Sequence, residues 1–173
     1  DACIMFPRDE LLGVDIVAPD LAYLKERQEE VRAVILTHGH EDHIGGLPFL
    51  LEEVSAPVYG TPLTLGFARG RLLEYGVLDR ADLRPIQARG RLQVADFEVD
   101  FFGVTHSIVD AVGVSIGTPV GRIIHTGDFK LDQSPPDQRL SDYALLSEWG
   151  DQGVLALLSD STNSERPGFT PSE

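Results

Sequence analysis

Three histidines and one aspartate fall within the six consecutive residues 38–43, which read HGHEDH. In an extended segment, side chains alternate between two sides, so His38 and His40 project to the same side. Asp42 and His43 follow where the chain turns, and they can face the same space from another direction. Several imidazole groups and a carboxylate placed close together suit zinc or a similar divalent ion. The sequence therefore predicts a metal site at this turn.

A cluster of four ligands indicates more than one metal ion, so further ligands are expected downstream. His106 follows a predicted strand at 97–105, and Asp128 follows another at 122–125. Polar residues at the carboxyl ends of strands are where binding sites gather. Considered alone, His106 is better explained as a histidine packed in the protein interior, and Asp128 as a residue of a turn. Together with the histidine cluster, both are candidate ligands.

Hydrophobic patterning predicts the elements that must position these residues. A β-branched run at 31–37 predicts a buried strand directly before the cluster. Thr61 as cap, Pro62 at the first position and Gly76 after the end predict a helix over 61–75. Further helices are predicted at 47–54 and at 141–149, and Ser141 is expected to cap the second of these. Further strands are predicted at 58–60, 92–94, 112–117 and 154–158. The strand at 154–158 is expected to be buried. This order predicts α/β layers around a mostly antiparallel sheet or sandwich.

Length and composition limit the class of protein. The chain has 173 residues, 42% of them hydrophobic, which suits one domain with a real core. The single cysteine, Cys3, excludes an internal disulfide; a small buried residue is favoured there over a metal ligand. Neither a membrane-length apolar run nor a leader is visible, so a soluble cytoplasmic protein is expected. An aspartate at position 1, with Met5 as the only methionine, predicts an excerpt of a longer polypeptide.

Charge is unevenly distributed along the chain. The net charge of −14 argues against a polyanionic partner when the chain is taken as a whole. The stretch 69–91, however, holds six arginines and only three acidic residues. It is either a solvated helix and loop surface or a local anion-binding strip. Divalent metal ions would also offset part of the negative charge.

The motif His38-x-His40-x-Asp42-His43, with the later His106 and Asp128, resembles the metallo-β-lactamase superfamily. The finer resemblance is to the ribonuclease J family of its β-CASP branch. It rests on the segments LTHGHEDHIGGLPFL at 36–50, HTGDFKLD at 125–132 and SDSTNSERPGFTPSE at 159–173. The resemblance implies a four-layer αββα sandwich, incomplete at both ends. It would span 1–166, and 167–173 would begin the connection to an absent β-CASP domain.

The resemblance also implies roles for individual residues. One metal ion would be bound by His38, His40 and His106, and a second by Asp42 and His43, with Asp128 bridging the two. Asp1 would contact the metal ligands and support them without binding the metal; the alternative is that Asp1 is a turn residue. His125 would either pack in the interior or support the ligands. The implied catalytic residues are Asp42, Asp128 and Asp160. Asp160 would orient a histidine from the β-CASP domain; the alternative is that it is a turn residue at the end of a strand.

The activity implied by the resemblance is that of a 5′-3′ exo- and endoribonuclease. Two Zn²⁺ ions, with Mn²⁺ as the alternative, would supply a metal-bound hydroxide that hydrolyses single-stranded RNA. Arg69 and Arg71 are candidate RNA contacts, and the resemblance allows a homo-oligomer. The alternatives are another hydrolase of the superfamily (a lactonase, a thioesterase or a β-lactamase-like enzyme) and a non-catalytic, metal-stabilised fragment.

Overall fold

A computed structural model describes residues 1–7 and 10–172, which form two compact units divided between Ile86 and Gln87. The first unit contains α1 (Ala22–Glu26), β1 (Val34–Ile35), α2 (Glu41–Ile44), α3 (Leu47–Glu53), β2 (Val58–Gly60), α4 (Pro62–Glu74) and β3 (Leu83–Pro85), with short 3-10 helices at Gln28–Glu30 and Leu78–Arg80. The second contains β4 (Arg91–Val94), β5 (Phe97–Gly103), β6 (Val112–Thr118), β7 (Gly121–His125), α5 (Tyr143–Gln152) and β8 (Ala156–Leu158).

The first unit is built on a parallel sheet in the order β1-β2-β3. Val34 lies opposite Val58, and Val58 lies opposite Leu83. Helix α4 follows β2 and buries residues at positions 64, 65, 68 and 72, which fall on one face at helical spacing. Leu36 and Leu72 are completely buried in the resulting core. The α/β class predicted from the sequence is therefore present in this unit.

Both ends of α4 follow from local sequence. The hydroxyl of Thr61 accepts the backbone N–H of Thr64, which caps the first turn, and Pro62 occupies the first helical position. After the helix, Gly76 takes a φ of +69°, a left-handed conformation that costs glycine least. The helix predicted over 61–75 is confirmed.

The second unit is a five-stranded sheet in the order β4-β5-β6-β7-β8. Strands β4 to β7 form an antiparallel meander, and β8 joins β7 in parallel after the crossover through α5. Because β6 runs opposite to both of its neighbours, β5 and β7 run in the same direction. The carboxyl ends of β5, β7 and β8 therefore lie at one edge of the sheet.

The register between β5 and β6 is tightly packed at one point. Gly113 lies opposite Phe102, whose ring is completely buried and packs edge-on against Trp149 with 5.6 Å between ring centroids. A Cβ atom on Gly113 would lie 2.1 Å from Cζ of Phe102. Glycine at this position is what allows the aromatic ring to lie across the neighbouring strand.

Four expectations about local structure are wrong. The strand predicted over 31–37 is present only at Val34–Ile35: the N–H of Val31 bonds back to Gln28 in a 3-10 turn, and the N–H of Thr37 points away from β2, to the Asp1 carboxylate. Ser141 does not cap α5; its hydroxyl accepts the backbone N–H of Thr105 instead. The strand predicted as buried over 154–158 is Ala156–Leu158, and all three of its residues are exposed. The Cys3 side chain is exposed as well.

The longest helix in the described part of the chain, α4, has 13 residues. Within that part, no helix is both long and apolar enough to span a bilayer.

Candidate metal centre

The histidine turn begins where β1 ends. His38 is completely buried, two residues after the buried Leu36. His40 is the residue before α2, in an extended conformation, and the backbone carbonyl of His40 accepts the N–H groups of His43 and Ile44. The change from strand to helical turn therefore falls inside the motif, so that His38 and His40 come from extended chain and His43 from the helix.

Two imidazole nitrogens converge in this turn. Nε2 of His38 lies 3.1 Å from Nδ1 of His40, and the two rings are nearly perpendicular. In a tetrahedral zinc site with Zn–N bonds of about 2.0–2.1 Å, two ligand nitrogens lie about 3.3 Å apart. The separation and the donor chemistry both fit a shared divalent ion bound by these two atoms.

Asp1 and Thr37 determine which nitrogen of His38 carries the proton. The Thr37 hydroxyl lies 2.9 Å from Oδ2 of Asp1 and 3.0 Å from Nδ1 of His38. An ionised carboxylate only accepts hydrogen bonds, so the hydroxyl donates to Asp1 and accepts from Nδ1–H of His38. The lone pair of the ring is then on Nε2, the atom that faces His40.

The same carboxylate orients His43. Nδ1 of His43 lies 3.0 Å from Oδ2 of Asp1, so this ring also carries its proton on Nδ1, and a metal ion would bind its Nε2. Oδ2 of Asp42 lies 3.8 Å from that Nε2, and about half of the Asp42 side chain is exposed. The structure thus brings the predicted residues Asp1, His38, His40, Asp42 and His43 together in the first unit.

Two glycines let the N-terminal segment pass against this turn. The backbone N–H of Ala2 donates to the carbonyl of His43, and the N–H of Gly46 donates to the carbonyl of Ala2, both at 2.8 Å. A Cβ on Gly46 would lie 2.6 Å from the carbonyl oxygen of Cys3, and one on Gly45 would lie 2.5 Å from the Ile4 side chain. The close approach requires glycine at both positions.

In the second unit, the predicted residues gather at one edge of the sheet. His106 follows β5 and Asp128 follows β7, with 3.8 Å between Nε2 of His106 and Oδ2 of Asp128. The loops that carry them are joined by a hydrogen bond from the N–H of Lys130 to the carbonyl of Thr105, at 2.7 Å. Imidazole and carboxylate side chains therefore meet here as well.

His125 acts on the turn that presents Asp128. Nδ1 of His125 accepts the backbone N–H of Gly127 at 3.0 Å, and Gly127 has a φ of +60°. This nitrogen therefore carries the lone pair of the ring, and the histidine fixes the turn that leads from β7 into Asp128.

Asp160 lies just after β8 at the same edge. Its backbone N–H donates to the Thr126 hydroxyl, and its carboxylate accepts the N–H and the hydroxyl of Thr162 at 2.8 and 2.7 Å. Burial acts to raise the pKa of Asp160, but hydrogen bonds from Thr162 and the Phe129 backbone, with the charge of His106, outweigh it and lower the pKa. Asp160 is therefore ionised at neutral pH.

The two arginines considered as RNA contacts differ in their surroundings. Arg69 is exposed on α4. Arg71 has only 16% of its side chain exposed and forms ion pairs with Glu41 and Glu74. Sequence patterning did not identify Glu41 and Arg71 as partners, because no local signal connects positions 30 residues apart.

Candidate metal ligands are present in both units. They are His38, His40 and His43 in the first unit, and His106 and Asp128 in the second.

Comparison with curated proteins gives matches over the whole chain. The chain is 50% identical to ribonuclease J2 of Bacillus subtilis, 49% identical to ribonuclease J of Thermus thermophilus and 44% identical to ribonuclease J of Synechocystis. All of the chain is covered in each case, but only 31%, 31% and 27% of the relatives. The chain spans about a third of the length of the curated relatives it matches.

Solved structures and a family model agree with the fold. Zinc-bound PqqB from Methylobacterium extorquens matches 80% of this chain and 51% of its own, with a TM-score of 0.56 and 19% identity. A protein of unknown function from Enterococcus faecalis matches 81% of this chain and 33% of its own, with a TM-score of 0.57 and 20% identity. The model of the metallo-beta-lactamase superfamily matches residues 6–159, which confirms the expected fold class. The chain belongs to the metallo-β-lactamase superfamily.

Proposed function

We propose that this chain is the metal-binding part of a ribonuclease that hydrolyses RNA phosphodiester bonds with bound zinc. The observation that carries the proposal is the 50% identity to a ribonuclease J2, which extends over all 173 residues rather than over the histidine motif alone. The site supports it independently, because its imidazole and carboxylate donors suit a divalent ion and the His38 and His40 nitrogens are spaced for one.

Two groups of side chains would hold the metal ions. By the superfamily resemblance, His38, His40 and His106 would bind one ion, and His43 and Asp128 would bind the other. Asp42 joins the second group from the superfamily resemblance, and Asp128 would contact both ions. Zinc is the proposed metal because four of these six ligands are imidazole groups, which suit zinc, and Mn²⁺ is the alternative.

When bound, two such ions supply an activated water and neutralise charge on the phosphate oxygens. Asp1 and Thr37 hold the proton on Nδ1 of His38, and Asp1 does the same for His43. Asp42, exposed beside His43, would accept the proton from the attacking water. Asp160 is ionised, so it would hold an N–H donor in place rather than deliver a proton.

The proposed partner is single-stranded RNA, and Arg69 is the exposed arginine of α4 that would face it. Arg71 is engaged by two carboxylates, so the RNA contact is assigned to Arg69 alone. The cytoplasm, where RNA is processed, is the proposed location, and a homo-oligomer of the complete protein is proposed with it.

Hydrolysis assays on the complete polypeptide that carries this sequence test the proposal. Cleavage of 5′-monophosphorylated single-stranded RNA is expected with Zn²⁺ or Mn²⁺, and it should stop with chelator and in His40→Ala. Faster turnover of esters or β-lactams than of RNA would identify another hydrolase of the superfamily. Bound metal without turnover of any of these would favour the non-catalytic alternative.

Thermal unfolding provides a separate test of the metal centre. A ligand that binds only the folded state at 100 times its Kd adds about 2.7 kcal/mol of stability. For a chain of this length, that raises Tm by about 5–10 °C. His40→Ala should remove most of the metal-dependent shift. A chain whose Tm does not respond to zinc would contradict the proposal before any substrate is tried.

A further inference from the structure

We propose that Arg71 is a positioning residue for the histidine turn, which it holds in place through Glu41. The inference rests on the proposed metal centre and assigns it an anchor outside the motif. It concerns the first unit only, where every contact involved lies.

Glu41 and Arg71 form an ion pair whose two facing atoms are shielded from water, while 41% of the Glu41 side chain is exposed. Nε of Arg71 lies 2.9 Å from Oε1 of Glu41, and neither atom is accessible to solvent. Their approach does not have the angle of a hydrogen bond, so the attraction is that of the two charges. Because these two atoms have no access to water, each charge restricts where the other can be.

Arg71 is itself held from three other directions. Its Nη1 lies 3.0 Å from a carboxylate oxygen of Glu74, and its Nη2 donates to the Tyr75 hydroxyl at 3.3 Å. The guanidinium also lies over the Tyr75 ring, 4.7 Å from the centroid. That ring packs edge-on against Phe49 of α3. Arg71 is therefore a fixed point on α4 rather than a flexible surface side chain.

Glu41 transmits this restraint to the candidate ligands. It is the first residue of α2, between His40 and Asp42, and its carbonyl accepts the backbone N–H of Gly45 at 2.7 Å. Helix α2 has only four residues and no side-chain cap, so few internal hydrogen bonds define its orientation. Together with the backbone hydrogen bonds that Ala2 and Ile4 donate to this turn, anchoring Glu41 opposes a rotation that would move Asp42 and His43 away from His38.

Charge and positioning predict opposite effects on metal binding. Arg71 is a cation near a site for cations, so by charge alone its removal should tighten metal binding. If Arg71 positions the turn, its removal should weaken metal binding, because the ligands are no longer held in the geometry that the ion requires. Residues that support metal ligands typically change affinity by about 10–100-fold when they are replaced.

Calorimetric titration of the chain with Zn²⁺ measures the effect directly, and the visible spectrum of the Co²⁺-loaded chain reports ligand geometry. We expect Arg71→Gln to bind Zn²⁺ at least tenfold more weakly and to alter the Co²⁺ spectrum. Arg71→Lys keeps the charge but not the guanidinium fork, so it should restore part of the affinity. Lys25→Gln is the matched control, since it removes the 2.7 Å ion pair between Lys25 and Glu53, which joins α1 to α3 in the same unit.

Each outcome decides a separate question. If the unmodified chain binds no Zn²⁺, the proposed metal centre is wrong and the inference is lost with it. If it binds Zn²⁺ and Arg71→Gln binds equally well or more tightly, the metal centre stands and the positioning role is overturned. An equal loss in Lys25→Gln would also overturn it. Should Arg71→Gln fail to fold, Glu41→Gln removes the same ion pair from its other side, and unchanged Zn²⁺ affinity and Co²⁺ spectrum in that variant would be the contrary result.

Discussion

Oδ2 of Asp1 lies 3.0 Å from Nδ1 of His43, across 42 residues of sequence. The same carboxylate accepts the backbone N–H of Thr37 at 2.7 Å and the hydroxyl of Thr37. One side chain thus orients two of the three histidines of the turn, His43 directly and His38 through the hydroxyl of Thr37. Removing either support should therefore affect metal binding without removing a metal ligand.

Asp1→Asn tests the direct contact. The amide can present an N–H where His43 needs an acceptor, which would shift the ring proton to Nε2 and block metal binding at that atom. We expect a 10–100-fold loss of Zn²⁺ affinity, measured by competition with a chromogenic chelator. Asp15→Asn makes the same charge change at an exposed site and should bind as the unmodified chain does. Equal affinity in both variants would contradict the role of Asp1.

Thr37→Val tests the indirect contact. Valine has nearly the same shape but neither donates to Asp1 nor accepts from His38, so Nδ1 of a buried ring loses its partner hydroxyl. About tenfold weaker Zn²⁺ binding is expected in the same competition assay. Thr37→Ser keeps the hydroxyl and should recover most of the affinity; if it binds as poorly as Thr37→Val, the hydroxyl is not what orients His38.

Local chemistry accounts for the parts of the fold that sequence predicted. Thr61, Pro62 and Gly76 define the helix they flank because a cap, a fixed φ and a left-handed residue act within a few positions of themselves. The histidine turn was predictable for the same reason, since its ligands are neighbours in the chain. Its carboxylate partner at position 1 was suggested only by resemblance to a superfamily.

Contacts between distant residues account for what sequence patterning missed. The N–H of Thr37 lies on the edge of the chain that faces away from β2, and a carboxylate 36 residues away takes it. Ser141 is a good helix cap by type, but its hydroxyl binds the backbone of Thr105, also 36 residues away. For Ser141, a tertiary hydrogen bond outcompetes a local preference. The pairing of Glu41 with Arg71 has the same long-range character.

Asp160 should make stability sensitive to acid. Its pKa in the folded chain lies below the ordinary value of 3.8, so its contribution is complete above that pH and is lost as the pH falls through the folded pKa. Thr162→Val removes a hydroxyl donor and should move the pKa of Asp160 back towards 3.8. Carboxyl NMR titration measures the pKa, and urea unfolding at pH 5 and pH 3 measures stability. Asp160→Asn should show less loss between the two pH values than the unmodified chain.

Gly113→Ala should destabilise the second unit strongly. The new Cβ would lie 2.1 Å from Cζ of Phe102, and the buried ring, packed against Trp149, has little room to retreat. Overpacking of this kind costs about 1–3 kcal/mol or more, measurable by urea unfolding. Gly117→Ala on the same strand is the control, because its Cβ would meet Glu98 at an ordinary 3.5 Å. Comparable losses in both variants would rule out the ring contact as the cause.

Arg69→Gln should weaken RNA binding without affecting the metal site. Arg69 is exposed on α4, within the one stretch of the chain that carries net positive charge, whereas the neighbouring Arg71 is occupied by carboxylates. Loss of one phosphate contact to a single strand should lower the slope of log affinity against log salt by about 0.7. Fluorescence anisotropy with single-stranded RNA in chelator measures binding without cleavage. The control is Arg32→Gln, which replaces an exposed arginine in an acidic stretch and should leave the slope unchanged. Equal slopes for both variants and the unmodified protein would show that Arg69 does not contact RNA.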